Sequence, residues 1–228
     1  MNQQQLDKAI ALIETYKKHL PNKAKAKLAY VEMFEKECPE LHGFIGMRLV
    51  DDPLTILSRK NLDGLNLAGR TFEKIDFSRS SMRYVDLTDC SLSLCNITST
   101  DFEGADISHS ELLSCTIRGT SFRRASLCES IISCDFDLFD AVVEYSSVDF
   151  SHADLDSAKL ENLSLDACNF SFANANCTDF VDSYLNGCDM RTAFVMGATW
   201  KDCYVSKSLW REGTEPTEKQ GAVDYWER

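Results

Sequence analysis

An apolar residue recurs at every fifth position along most of this chain. One series runs in steps of five from Leu62 through Leu67, Phe72 and Phe77 to Ile132, and a second runs from Phe150 through Leu155 and Leu160 to Val205. All 27 positions of the two series are apolar in a chain with 44% apolar residues, which chance would produce on the order of one time in a billion. A period of five fits neither an α-helix nor a simple strand, whose side-chain periods are about 3.6 and 2. It fits a coil that turns a corner every five residues, with the apolar residue i pointing inward.

The neighbours of position i support that reading. Position i−2 is Ala, Ser, Cys or Thr in 20 of the 26 cases from Leu67 onward, as an inward position beside a large one requires. Six of the ten cysteines fall there: Cys90, Cys95, Cys115, Cys168, Cys188 and Cys203. Position i−1 is often Asp or Asn, as in ADISH, VDFSH, ADLDS, CNFSF and CDMRT. Four five-residue sides close a square coil of about twenty residues, and stacked coils pair as parallel strands about 4.8 Å apart.

This A(D/N)(L/F)XX pattern, with Ser, Thr or Cys substituting for Ala, resembles the pentapeptide repeat family over roughly residues 60–205. The resemblance implies an all-β solenoid, a right-handed quadrilateral β-helix. It also implies a non-enzymatic role in protein–protein interaction, because several members protect bacterial DNA gyrase from quinolones or gyrase poisons by mimicking DNA. Related proteins dimerise through the uncovered C-terminal end of the rod, so a homodimer through that end is implied too.

Three regions follow. Residues 1–57 show helical spacing (Leu6, Ile10, Ile13, Leu20, then Leu28, Val31, Met33, Phe34), with Pro21 opening a second segment, and read as an α-helical N-terminal domain or cap. The segment ECPELHGFIGMRLVDDPLTIL reads as a turn and a third short helix. Residues 58–205 form the β-helix, with a register break at 133–149. Residues 206–228 form a C-terminal cap and tail, in which SLWREG suggests a short capping helix carrying Trp210. The break interrupts the period within IISCDFDLFDAVVEYSSVDF, which also holds Asp135, Asp137, Asp140, Glu144 and Asp149. The eighteen residues from Ile132 to Phe150 suggest a shortened, kinked coil through Phe136, Asp140/Ala141 and Tyr145 rather than an inserted loop.

Charge narrows the function. A net charge of −12 argues against binding nucleic acid or an anionic membrane surface and favours a partner with a basic cleft. Residues 125–205 hold 3 basic and 14 acidic residues, whereas 61–124 hold 7 and 9. Net −11 over about four coils, roughly 19 Å of rod, is about one charge per 1.7–1.8 Å, against about 1.7 Å in duplex DNA. The candidate DNA-mimic surface is Asp149, Asp154, Asp156, Glu161, Asp166, Asp179, Asp182, Asp189 and Asp202. Asp149, Asp154, Asp179 and Asp189 lie at i−1 and belong to the repeat; the other five lie at i+1 or i+2, which the repeat does not dictate.

Nothing in the sequence marks a catalytic centre, a metal site or a cofactor. The four histidines (His19, His42, His109, His152) lack ligand spacing, and His109 and His152 fall on exposed positions. No CxxC pair occurs, and the in-register pairs Cys95/Cys115 and Cys168/Cys188 read as small core residues. Arg118, Arg123 and Arg124 read as a solvated basic patch. With neither a long apolar run nor a secretion signal, the reading is a cytoplasmic protein. The helical first quarter departs from the gyrase-protecting members, and it motivates the alternative of a secreted bacterial effector or adaptor whose helices choose the partner.

Overall fold

A computed structural model describes residues 1–38, 41, 53–134, 147–214, 216 and 222–223. Two helices open the chain, α1 (Gln3–Lys18) and α2 (Lys23–Glu37). A capping box starts α1: the Asn2 side chain accepts from the Gln5 N–H, and the Gln5 side chain accepts from the Asn2 N–H. Asn22 caps α2, so Pro21 lies just outside the helix instead of opening it. Of the expected third helix, the described residues show 3-10 turns only, at Leu41 and at Pro53–Thr55; residues 42–52 lie outside the description.

The helices close the lower edge of the rod. Leu6, Ala9, Leu12 and Ile13 of α1 are buried in one continuous core with Leu62, Leu67 and Phe72 of the first coil. The Gln3 carboxamide donates to the Asn66 carbonyl and accepts from the Asn66 N–H, both at 2.9 Å, as a neighbouring strand would. The Met1 amino group donates to the Asn61 carbonyl, and Arg70 pairs with Asp7 at 2.6 Å. An open first coil would present unpaired backbone to any passing strand, and these contacts occupy it.

Above them the chain winds as a parallel solenoid with four five-residue sides per turn. The third side carries the longest ladder, β1 (Thr71–Glu73), β2 (Ser91–Ser93), β3 (Glu111–Leu113), β4 (Ile131–Ser133), β5 (Lys159–Glu161), β6 (Asp179–Val181) and β7 (Thr199–Lys201), paired in that order and all parallel. The first side is centred on Leu62, Met82, Phe102, Phe122, Phe150, Phe170 and Met190. The second is centred on Leu67, Leu87, Ile107, Leu127, Leu155, Ala175 and Val195, and the fourth on Phe77, Ile97, Ile117, Leu165, Leu185 and Val205. On every side the N–H of residue i reaches the next coil, as Leu67 does to Asp86 at 2.8 Å. The N–H of the matching i−1 residue reaches back, as Asp86 does to Leu65 at 3.0 Å.

Position i−2 has a chemical reason as well as a steric one. Thr100, Ser110, Thr120 and Thr178 are buried, and their hydroxyls donate to the carbonyls of Phe77, Leu87, Ile97 and Leu155, each 23 residues earlier, at 2.6–2.8 Å. Cysteine thiols at the same position do likewise, Cys90 to Leu67, Cys115 to Leu92 and Cys188 to Leu165. The position asks for a small residue that can also donate, which is why Ser, Thr and Cys alternate with Ala there.

Corners have their own rule. Position i+2 takes a left-handed backbone at nearly every turn, by glycines such as Gly64 (φ 66) and Gly187 (φ 67), and also by residues such as Arg79, Ser99, Asn162 and Asp182. Gly104 is the position where glycine is required twice over. It has φ 67, and a Cβ there would lie 2.6 Å from the ring of Tyr84, which is 63% exposed. Gly104→Ala should therefore cost roughly 1–2 kcal/mol or more, and Tyr84→Ala in the same chain should recover part of it. Gly187→Asn, with open space around it, should cost little; urea denaturation of the four proteins measures this.

The break lengthens a coil. Ile132 pairs with Leu160 and Ser121 with Asp149, 28 residues apart where every neighbouring step is 20. Phe150 stands directly above Phe122, so the eighteen residues from Ile132 to Phe150 cover half a coil, which normally takes ten, plus eight more. The shortened coil expected from the sequence is corrected on this point, because counting alone could not show which side Phe150 occupies. Phe136, Asp140, Ala141 and Tyr145 fall within 135–146, outside the described residues. The core crosses the break without interruption: Phe102, Phe122, Phe150 and Phe170 form one stack with centroids 5.4, 5.4 and 4.9 Å apart.

The expected capping helix at SLWREG is absent, because the segment continues the repeat. Ser208 takes the i−2 place and donates to the Leu185 carbonyl, Leu209 bridges Asp189, and Trp210 sits at i, edge-on to Trp200 at 5.1 Å. Farther on, β8 (Cys203–Tyr204) pairs in parallel with β9 (Ala222–Val223), so the chain keeps wrapping beyond residue 205.

Candidate interaction surface

The outward residues are i−1, i+1 and i+2, and the fold uses them unequally. At i−1 the Asp or Asn side chain accepts from the N–H two residues on, holding the corner as an Asx turn: Asp76 from Ser78, Asp101 from Glu103, Asn169 from Ser171. Asp149, Asp154 and Asp189 do this to Ser151, Asp156 and Arg191, at 2.9, 3.2 and 3.2 Å. Amides of the next coil bind two of them, Asn169 to Asp149 at 3.1 Å and Asn174 to Asp154 at 2.9 Å. Asp179 accepts from the Thr199 hydroxyl at 2.6 Å. These four carboxylates have structural work as the sequence implied.

Two of the other five also answer to the fold. Asp182 (φ 49) and Asp202 (φ 55) occupy the left-handed i+2 corner, which favours Gly, Asn and Asp, so position i+2 is not free of backbone demands as the sequence reading held. The i+1 residues Asp156, Glu161 and Asp166 remain. Glu161 pairs with Lys159 at 2.5 Å, and Asp166 accepts from Ser164. Asp189 is similarly neutralised: the hydrogen bonds and charge of Arg191, 2.8 Å away, hold its carboxyl below the usual carboxylate range.

The nine candidates do not share a face. Asp149 and Asp189 stand on the first side, Asp154 and Asp156 on the second, Glu161 and Asp179 on the third, and Asp166 on the fourth; Asp182 and Asp202 are at the corner between the third and fourth. The structure gathers a different set. The second side and the corner after it carry Asp86, Asp89, Asp106, Glu129, Asp154 and Asp156 over four successive coils, and their outward positions include no Lys or Arg. Four of them surround Cys128: burial first, then the charges of Asp154, Asp156, Glu129 and Asp106, push its thiol up. Asp86, Asp89, Asp106 and Glu129 lie before the break and Asp154 and Asp156 after it, so a constant count of five does not align them. Counting residues by twenties, and by 28 across 133–149, is the signal that finds them.

The basic patch is divided. Arg118 stands on the fourth side, while Arg123 and Arg124 join Arg83 around Glu103 on the first side. His109 and His152 are exposed; His109 lies 3.4 Å from Glu129, and His152 stacks on Phe172 at 5.0 Å. Among the described residues no group of His, Cys, Asp or Glu is arranged to hold a metal.

All ten cysteines are free thiols, and Cys177 is the exposed one. Burial holds several of the others well up the scale, Cys203 at about 11. Brief alkylation of the native protein with iodoacetamide should label Cys177 first and Cys128 much more slowly, leaving the eight buried thiols until unfolding. Peptide mass spectrometry reads the order.

These features define the class first: a parallel β-solenoid whose sides are five residues long and whose first coil is covered by a helix of the same chain. The pentapeptide repeat model matches in 8 copies over residues 61–98, 95–133 and 164–199, and the chain is a pentapeptide repeat protein. Solved structures that match the chain include a trypsin-treated form of QnrB1, described as a plasmid-mediated fluoroquinolone resistance protein, at 18% identity and a TM-score of 0.34, covering 73% of this chain and 83% of that one. HetL, a pentapeptide repeat protein involved in heterocyst differentiation regulation from the cyanobacterium Nostoc sp. strain PCC 7120, matches at 16% identity and a TM-score of 0.28, covering 66% and 76%. Rfr23 from the cyanobacterium Cyanothece 51142 matches at 15% and 0.24, covering 67% and 91%. No curated protein matches the chain in sequence. Among the described residues no helix is long and apolar enough to cross a membrane.

Proposed function

We propose that this is a non-enzymatic interaction protein that presents its second side to a basic cleft in a protein partner, most concretely as a DNA-mimicking modulator of DNA gyrase or a related topoisomerase. One observation carries the reading. Six carboxylates over four coils, about 19 Å of rod, give one charge per about 3.2 Å, against about 3.4 Å per strand in duplex DNA. These charges stand at four levels about 4.8 Å apart, two levels carrying a pair, on a rigid β wall without Lys or Arg, and such a band complements a groove built for a phosphate backbone. The hydrogen bonds of α1 to the first coil support the helices as a cap, so the rod supplies the contact surface.

A supercoiling assay with purified gyrase, with and without a quinolone, tests this. The protein should inhibit supercoiling or protect it from the drug at micromolar concentration. No effect of either kind there rejects topoisomerase as the partner.

A further inference from the structure

The second side changes character at its C-terminal end. Its outward i−1 positions run Asn66, Asp86, Asp106, Ser126, Asp154 and Asn174, then Phe194; its i+1 positions end in Asp156 and Asn176, then Met196. Phe194 is 56% exposed and Met196 80% exposed, and at the adjoining corner Phe172 is 55% exposed. The fold asks for none of this. On the other coils of this side position i−1 holds Asn, Asp or Ser, and the backbone bonds of Phe194 to Ala173 and Ala175 are the same as those made by those polar residues. Large apolar groups on a wall otherwise given to polar residues mark a contact surface.

What lies next to them selects the occupant. Asp154 and Asp156 are two coils away, about 10 Å, with Glu129 and Asp106 at about 14 and 19 Å, and no cation intervenes on this side. We propose that Phe172, Phe194 and Met196 form an apolar anchor site for an extended protein segment that carries one or two large apolar residues followed, three to six residues along, by lysines or arginines. A strand advances about 3.3 Å per residue, so that spacing brings its charges over Asp156 and Asp106. The inference rests on the second side being the contact surface, but not on the partner being a topoisomerase. It adds what DNA mimicry lacks, since a purely DNA-like surface has no use for exposed phenylalanine.

The test uses the full chain and fluorescein-labelled peptides of roughly 12 residues, read by fluorescence anisotropy at moderate salt. One peptide carries Leu-Phe followed by four lysines, a second has serines in place of Leu-Phe, and a third has the order scrambled. The first should bind at least about tenfold more tightly than the others. The double variant Phe194→Ser, Met196→Ser should lose that advantage while binding the serine peptide as before, and Asp156→Asn should weaken both lysine peptides. Phe172→Gln provides a second, independent loss at the anchor, and unchanged far-UV circular dichroism confirms that the variants fold. Equal affinity of wild type and the double variant for the Leu-Phe peptide overturns the proposal. So does sedimentation showing a dimer that the double variant abolishes and the peptide does not displace, which would give the patch to a second copy of the chain. A negative gyrase assay leaves these outcomes untouched, so the two readings fail separately.

Discussion

Phe122→Ala should cost about 3–5 kcal/mol, lowering the melting temperature by roughly 10 °C and shifting the urea midpoint accordingly. Phe122 is fully buried and lies between Phe102 and Phe150 in a stack of parallel rings, both centroids 5.4 Å away. Its upper neighbour is 28 residues away in sequence, across the lengthened coil. The ring contact is therefore a tertiary bond between the two halves of the rod. Phe150→Ala should cost a similar amount, and the double variant should cost about 0.5–1.5 kcal/mol less than the sum of the two, because the ring contact can be lost only once. Phe172→Ala, at an exposed corner, should stay within about 0.5 kcal/mol of wild type. Additive single and double variants would mean that the halves unfold independently at the break.

Reversing charge one side at a time should separate the second side from the rest. Asp89→Lys, Glu129→Lys and Asp156→Lys together should reduce the effect on gyrase at least tenfold. The three residues lie at i+1 and i+2, so the Asx turns are spared, and Lys74 and Lys207 already hold the left-handed corner. The matched set Glu161→Lys, Asp182→Lys and Asp202→Lys makes the same change in net charge on the third side and its corner. It should leave the effect within about threefold. Equal loss from both sets would mean that overall negative charge, rather than one face, does the work, and the second-side assignment would fall. Because a groove reads charge over a Debye length of about 8 Å at physiological salt, the contrast should sharpen as salt rises towards that value.

Much of this fold was legible in the sequence because its rules are local. Leu67 and Phe72 point inward since each is the large residue of a five-residue side. Cys115 is small and buried since it precedes such a residue by two, and Asp101 caps a corner by bonding only two residues along. The acidic surface was less legible. Asp149, Asp154 and Asp189 lie at i−1 and hold turns as the repeat implies, and the sequence does not show how much of their charge stays free for a partner. Asp189 and Glu161 have cations beside them, Arg191 and Lys159, whose geometry a count of charges does not carry. SLWREG has helical propensity, yet the edge of the last coil offers backbone partners and a ring, Trp200, for Trp210 to pack on, and those win.

By itself the sequence determined the repeating unit: five residues to a side, four sides to a coil, parallel pairing from one coil to the next. Each of those follows from which residues are large, small or turn-forming within a few positions, where sterics and local hydrogen bonds decide. Only the tertiary structure decided which side each residue faces. That depends on how many residues separate one coil from the next, and at the break the number is 28 instead of 20. A shift of eight residues moves every later side chain relative to the earlier ones, so the row from Asp86 to Asp156 and its apolar end at Phe194 and Met196 exist only once Phe150 has stacked on Phe122.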